Sequence, residues 1–175
     1  MATIFSHGVV AVALGQAAPA RYRDDWRFWY TVGYCSILPD ADVVSFLMGI
    51  KYEDLWGHRG MTHSLLFAAG VGALAAARFR PGWKKEGWTL ALLFAAVTAS
   101  HGVLDAFTNG GHGVAFFSPF DTARYFFPWA PIEVSPIGAG FFSARGLSVI
   151  LNELRWVWLP ALALGAAIRL RRRRA

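Results

Sequence analysis

Apolar and polar positions along this 175-residue chain fall into blocks rather than alternating residue by residue. The first apolar block, Ala2–Ala18, is closed by Pro19 and the charged loop RYRDDWR at Arg21–Arg27. The second runs from Phe28 to about Ile50 and contains LPDAD at Leu38–Asp42. Pro39 removes a backbone donor and restrains the residue before it, so a helix should break or kink there. The third block, about Thr62–Phe79, takes Thr62 as its expected N-cap and ends in the basic loop RFRPGWKK at Arg78–Lys85. Trp88–Phe107 is the clearest membrane helix, since about twenty residues with few charges match a hydrocarbon core. The fifth block, about Leu147–Leu170, carries Asn152, Glu153 and Arg155 near its start.

These blocks predict an all-α, polytopic membrane bundle of about five segments with a polar site at one membrane face. The stretch Asn109–Gly146 is too rich in glycine and proline to be a helix and too aromatic for a free linker. It is expected to fold over the site, with Phe116, Phe117, Phe126, Phe127 and Trp129 in the interface.

Composition supports a lipid environment. Hydrophobic residues make up 55% and charged residues 16%, too apolar a balance for an ordinary soluble fold; the mean hydropathy of +0.38 agrees. The net charge of +6 suggests nucleic acid until its distribution is considered, because five of the seventeen basic residues lie in RLRRRR at Arg169–Arg174. Beside an apolar segment that tail reads as a topology anchor, and no nucleic-acid partner is expected. The single cysteine, Cys35, excludes an intrachain disulfide and a cysteine-rich zinc site. Met1–Ala20 lacks a basic start and carries His7, so no cleavable signal is expected. By length the chain reads as one domain, residues 1–175.

Placing the three basic clusters in the cytoplasm lets five crossings alternate without contradiction, with the C-terminus inside. His7, Asp40 and Asp42, His58 and His63, and His101 and Asp105 then all reach the outer ends of their segments. Four segments deliver imidazoles and carboxylates to one face. His101 and Asp105 are four residues apart and share a helical face. WGHRGMTHSL at Trp56–Leu65 sets two histidines and an arginine against an apolar helix, which is costly unless they find partners. Imidazole and carboxylate ligands without thiolates suit a divalent transition metal, zinc foremost, with manganese or iron as alternatives. Four histidines and three aspartates suffice for one or two ions. Arg59 and Arg124 are candidates to clamp a phosphate or carboxylate.

The motifs LPDAD, HRGMTHS at His58–Ser64, SHGVLDAFTNGG at Ser100–Gly111 and FSPFDTARYFFP at Phe117–Pro128, with His7 before them, resemble the YdjM-type inner-membrane, metal-dependent hydrolases over about two thirds of the chain. That resemblance implies a hydrolase of the bacterial inner membrane that depends on a metal. The helical HxxxD is also similar to that of zinc-dependent phospholipases C, which points towards phosphoesters.

The resulting expectation is a membrane hydrolase whose metal is held by some subset of His7, Asp40, Asp42, His58, His63, His101 and Asp105. A metal-activated water would attack an ester or phosphoester on a lipid-linked substrate. Asp42 would act as general base and Arg59 would stabilise developing negative charge. Thr62 and Ser64 read as cap and supporting groups. The rival is a non-catalytic metal or proton carrier, or a structural bundle. A carrier needs polar groups continuing inward, whereas GVGALAAA and TLALLFAAV are nearly devoid of them. Substrate identity and oligomeric state are not encoded in these patterns.

Overall fold

The computed structural model describes residues 1–79, 85–136 and 138–174, so the centre of the basic loop read at Arg78–Lys85 lies outside them. Helix α1 (Ile4–Gly15) begins at Thr3, whose hydroxyl accepts from the Ser6 amide. Pro19 starts the short α2 (Ala20–Arg23). Asp25 then caps α3 (Trp26–Ile37), accepting from the Arg27 amide at 2.9 Å. LPDAD forms a 3-10 turn, Leu38–Val43, followed by α4 (Val44–Leu47). The break expected at Pro39 therefore ends the α-helix and tilts Asp40 and Asp42 out of its ladder.

A second 3-10 turn, Met61–His63, precedes α5 (Leu65–Phe79). Here the cap differs from expectation. Ser64, in extended conformation, accepts from the Phe67 amide at 3.0 Å, whereas the Thr62 hydroxyl is drawn away to Asp42. A carboxylate within reach competes successfully for a threonine hydroxyl that a local reading assigns to the helix. Helix α6 (Lys85–Ala106) follows, and α7 (Ala144–Glu153) continues through a π-helical turn, Leu154–Trp158, into α8 (Leu159–Arg174).

Among the described residues the protein is all-helical, and two helices are long and apolar enough to cross a membrane: Lys85–Ala106 and Ala144–Arg172. At 1.5 Å per residue the first extends about 33 Å, against a hydrocarbon core of about 30 Å. Helices α1 and α5, with 12 and 15 residues, reach only about 18 and 22 Å. Of the five segments expected, two thus have spanning length, because Pro19, Pro39 and the cap at Ser64 cut the others short.

Helices α1, α3 and α6 pack against one another, and α5 lies along α6. The α5–α6 contact is intimate at Gly72, where a Cβ would stand 2.4 Å from the Ala91 carbonyl oxygen. Phe28, Val32, Leu90, Phe94 and Val97 are buried together in the core between these helices. The stretch after α6 forms no strand among the described residues, only isolated bridges pairing Thr108 with Ile132 and Val114 with Tyr125. It closes against the polar end of the bundle: Ala115 donates to the Arg59 carbonyl at 3.0 Å, and the Leu65 amide donates to Phe116 at 2.9 Å.

The helices run so that the first turn of α1, the end of α3, the start of α5 and the last turns of α6 meet at one end. At the other, Arg21, Arg27 and Arg78 share one recess, and Arg23 and Arg169 another.

Candidate metal centre

Among the described residues, six buried ligand-type atoms on five side chains have no hydrogen-bond partner: His7 Nδ1 and Nε2, Asp40 Oδ1, His63 Nε2, His101 Nε2 and Asp105 Oδ2. They converge. His101 Nε2 lies 3.1 Å from Asp40 Oδ1, and His63 Nε2 lies 3.8 Å from the same oxygen and 3.7 Å from Asp105 Oδ2. One ligand atom from each of Asp40, His63, His101 and Asp105 stands within 4.8 Å of all the others. Unsatisfied buried polar atoms are rare because each forfeits its hydration. Four residues whose ligand atoms gather this closely fit a divalent cation, which would compensate them together.

The opposite edges of the imidazoles explain their aim. His101 Nδ1 donates to the Ser36 carbonyl at 2.7 Å, and His63 Nδ1 lies 3.2 Å from Asp42 Oδ2. An acceptor at Nδ1 requires the proton there, leaving Nε2 with its lone pair free; this is how metal-binding histidines are oriented. Burial pushes the His63 pKa below its ordinary value against the upward pull of Asp42. The ring is then neutral at pH 7, the form that binds a cation.

Asp42 is occupied differently from Asp40. Its Oδ1 accepts from His58 Nδ1 at 2.6 Å, and its Oδ2 accepts from the Arg59 amide at 3.1 Å and the Thr62 hydroxyl at 2.7 Å. Burial opposes its charge, but the hydrogen bonds from His58 and His63 outweigh that and hold its pKa well below the usual carboxylate range. Asp42 consequently orients two imidazoles. Burial likewise opposes the Asp40 charge, and the nearby His101 outweighs it, lowering that pKa too. Asp40, Asp42 and His58 form a second group whose ligand atoms lie within 4.8 Å of one another.

His7 stacks on His101, ring centroids 3.6 Å apart, and its Nε2 is 3.7 Å from Asp105 Oδ1. Asp105 Oδ1 itself accepts from the Ala2 amide at 2.8 Å. Arg59, only 1% exposed, holds a left-handed backbone at φ 60° and brings its Nε to 3.0 Å from Asp105 Oδ2. Its other nitrogens donate to the Gly110 carbonyl at 3.0 Å and the Thr108 hydroxyl at 3.3 Å. A guanidinium inside the cluster offsets part of the carboxylate charge that would otherwise repel.

Of the nine residues singled out in the sequence, seven therefore meet around one point or one bond away from it: His7, Asp40, Asp42, Arg59, His63, His101 and Asp105. His58 stands behind Asp42. Arg124 is elsewhere: it donates to the backbone carbonyls of His58 at 2.9 Å and Tyr52 at 2.7 Å, bracing the loop that carries the histidines. His112 is exposed beside Glu53, 3.4 Å away.

No motif in the sequence gives Glu153 a role. Fully buried at the start of the π-helical turn, it accepts from the Thr3 amide at 2.6 Å, the Thr3 hydroxyl and the Ser6 hydroxyl at 2.7 Å. It thereby fixes the start of α1, next to Ala2 and His7. A lone glutamate in an apolar segment was the available signal.

The amino-acid sequence matches, over residues 1–174, the family described as YdjM inner membrane protein. It is 37% identical over 174 residues to the inner membrane protein YbcI of Escherichia coli (strain K12), an alignment covering 99% of this chain and 100% of that relative. No solved structure matches it. With the family match running through all the residues of the centre, the chain belongs to the YdjM inner membrane protein family.

Proposed function

We propose that this protein is an inner-membrane, metal-dependent hydrolase whose centre is held by Asp40, His63, His101 and Asp105, with His7 beside them. The observation that carries this reading is the convergence of buried, unpartnered ligand atoms, with two of the imidazoles locked by acceptors on their far edges. Nitrogen and oxygen donors without thiolates suit zinc, manganese or iron. Such an ion, when bound, lowers the pKa of a coordinated water and polarises an ester or phosphoester.

The chain's own groups do the rest. Asp40 alone among the four keeps a partly accessible side chain, 16%, against 0% for His63, His101 and Asp105, so substrate and water approach past it. The Asp42–His58 pair supplies a proton carrier: Asp42 holds the Nδ1 proton, leaving His58 Nε2 to accept one. Arg59 holds Asp105 in place and sets positive charge beside the reacting group. Exposed Phe117, Phe126, Phe127 and Trp129 on the covering stretch suit an interface and a lipid-linked substrate. With the basic end in the cytoplasm, the centre faces the extracytoplasmic side.

A carrier reading is disfavoured by what lies behind the centre. Among the described residues, the space between α1, α3, α5 and α6 towards the basic end is filled by apolar side chains, Val32, Ala76, Leu90, Phe94 and Val97.

The test is elemental analysis of the purified protein together with hydrolysis of a chromogenic phosphodiester and a carboxylic ester. About one or two equivalents of transition metal, and turnover abolished by a chelator and restored by metal, are expected. Metal without turnover of either ester would overturn the hydrolase; absence of metal would overturn the centre itself.

A further inference from the structure

A recess of about 730 Å³ runs between α3 and α5, on the flank of the bundle and away from the metal centre. Both helices pack on α6 and meet each other only slightly. Tyr30 and Tyr34 line it from α3, Leu38 from the turn that follows, and Val71 and Leu74 from α5, set at helical spacing and so on one face. Leu74 is 77% exposed and Tyr30 70%, in a protein that resides in a membrane.

The two ends of this trough differ. Because α3 and α5 run antiparallel, Arg27 in the first turn of one and Arg78 in the last turn of the other sit at the same end. Both also line an adjoining recess of about 380 Å³ with Arg21 and Asp25. Arg21 is paired with Glu86, and Asp25 caps α3. Among the described residues that line the mouth, counting Arg27 and Arg78 against Asp25 leaves one net positive charge, matched to a single phosphodiester. From Arg27 to Leu38 the trough extends about 16 Å along the helix axis.

We propose that this trough holds one acyl chain of an anionic glycerophospholipid, its phosphate between Arg27 and Arg78. The argument is charge complementarity joined to shape: a cationic mouth opening into an apolar channel parallel to the helices fits an anionic headgroup with its tail. Guanidinium groups bind phosphate through paired N–H donors. By the positive-inside assignment the lipid belongs to the cytoplasmic leaflet. Trp26, stacked by Arg27 at 5.9 Å, marks the interface level.

The test is native mass spectrometry of the protein released from nanodiscs holding equal phosphatidylglycerol and phosphatidylcholine with identical chains. Wild type should retain one phosphatidylglycerol in preference to phosphatidylcholine by about tenfold. The double variant Arg27→Gln/Arg78→Gln should lose that preference. Leu74→Trp, which fills the trough, should lose the bound lipid altogether. His101→Ala should keep it, separating this site from the metal centre, and wild-type metal content in the trough variants reports that they are folded. Equal retention of the two lipids by wild type, preference surviving in the double variant, or lipid undiminished in Leu74→Trp would each overturn the proposal.

Discussion

The imidazoles of His7 and His101, carried by α1 and α6, lie face to face with their planes 6° from parallel and their centroids 3.6 Å apart. Two charged rings would repel at that separation, so the stack requires at least one to be neutral. Both leave Nε2 without a hydrogen bond. His101→Ala should therefore strip most of the metal from the purified protein. His7→Phe, which keeps a ring in the stack but no nitrogen, should weaken metal affinity by about 10- to 100-fold if His7 acts through its nitrogen. Competition with a chromogenic chelator reads both, and unchanged affinity in His7→Phe would reduce that histidine to a spacer.

Asp42 orients His63 of the four-residue centre and, with Asp40 and His58, forms the second ligand group. Asp42→Asn preserves shape while replacing one acceptor oxygen by a donor, so one of His58 and His63 loses the oxygen that fixes its Nδ1 proton. Metal affinity should fall by about 10- to 100-fold with helix content unchanged in circular dichroism. Full affinity in the asparagine variant would mean that His63 is oriented by Thr62 alone.

Glu153 is a positioning residue for the start of α1. Glu153→Ala strands the Thr3 amide and the Thr3 and Ser6 hydroxyls in a buried place, at a cost of about 3 kcal/mol. Glu153→Gln keeps the volume and part of the bonding, and should recover much of that loss. Thermal unfolding measures the stability, and metal affinity separates positioning from bulk destabilisation. A purely structural role would lower the unfolding midpoint and leave the affinity of the folded fraction untouched.

Gly72→Ala tests the helix pair that sets His63 against His101. The new methyl would meet the Ala91 carbonyl oxygen at 2.4 Å and the Ala95 amide nitrogen at 2.6 Å, both rigid backbone. Helices α5 and α6 must separate, costing about 1–3 kcal/mol. Gly70→Ala, two residues earlier on the opposite face of α5 with open space around it, serves as the control and should hold or slightly raise the unfolding midpoint.

The local signals and the long-range ones were unequally visible in the amino-acid sequence. The helix at Lys85–Ala106 and the break at Pro39 follow from composition and backbone chemistry that act within a few residues. Helix lengths were less visible, since an apolar block such as Ala2–Ala18 does not show that only Ile4–Gly15 is helical. The cap of α5 falls at Ser64 and not at Thr62 because Asp42, twenty residues before Thr62, captures the threonine hydroxyl. Arg124 carries the same charge whether it meets a substrate or a carbonyl, and only coordinates show it holding His58 and Tyr52. Glu153 and Thr3 are 150 residues apart, beyond any pattern of spacing.

The clasp between Glu153 and the beginning of α1 also sets a timetable for biogenesis. A ribosome delivers His7 first and Glu153 only after most of the protein has emerged, so the earliest helix waits for the latest one before its ring can dock on His101. On the proposed metal-dependent reading, ion capture would be a terminal event of maturation, and chains released early would carry a cavity not yet closed.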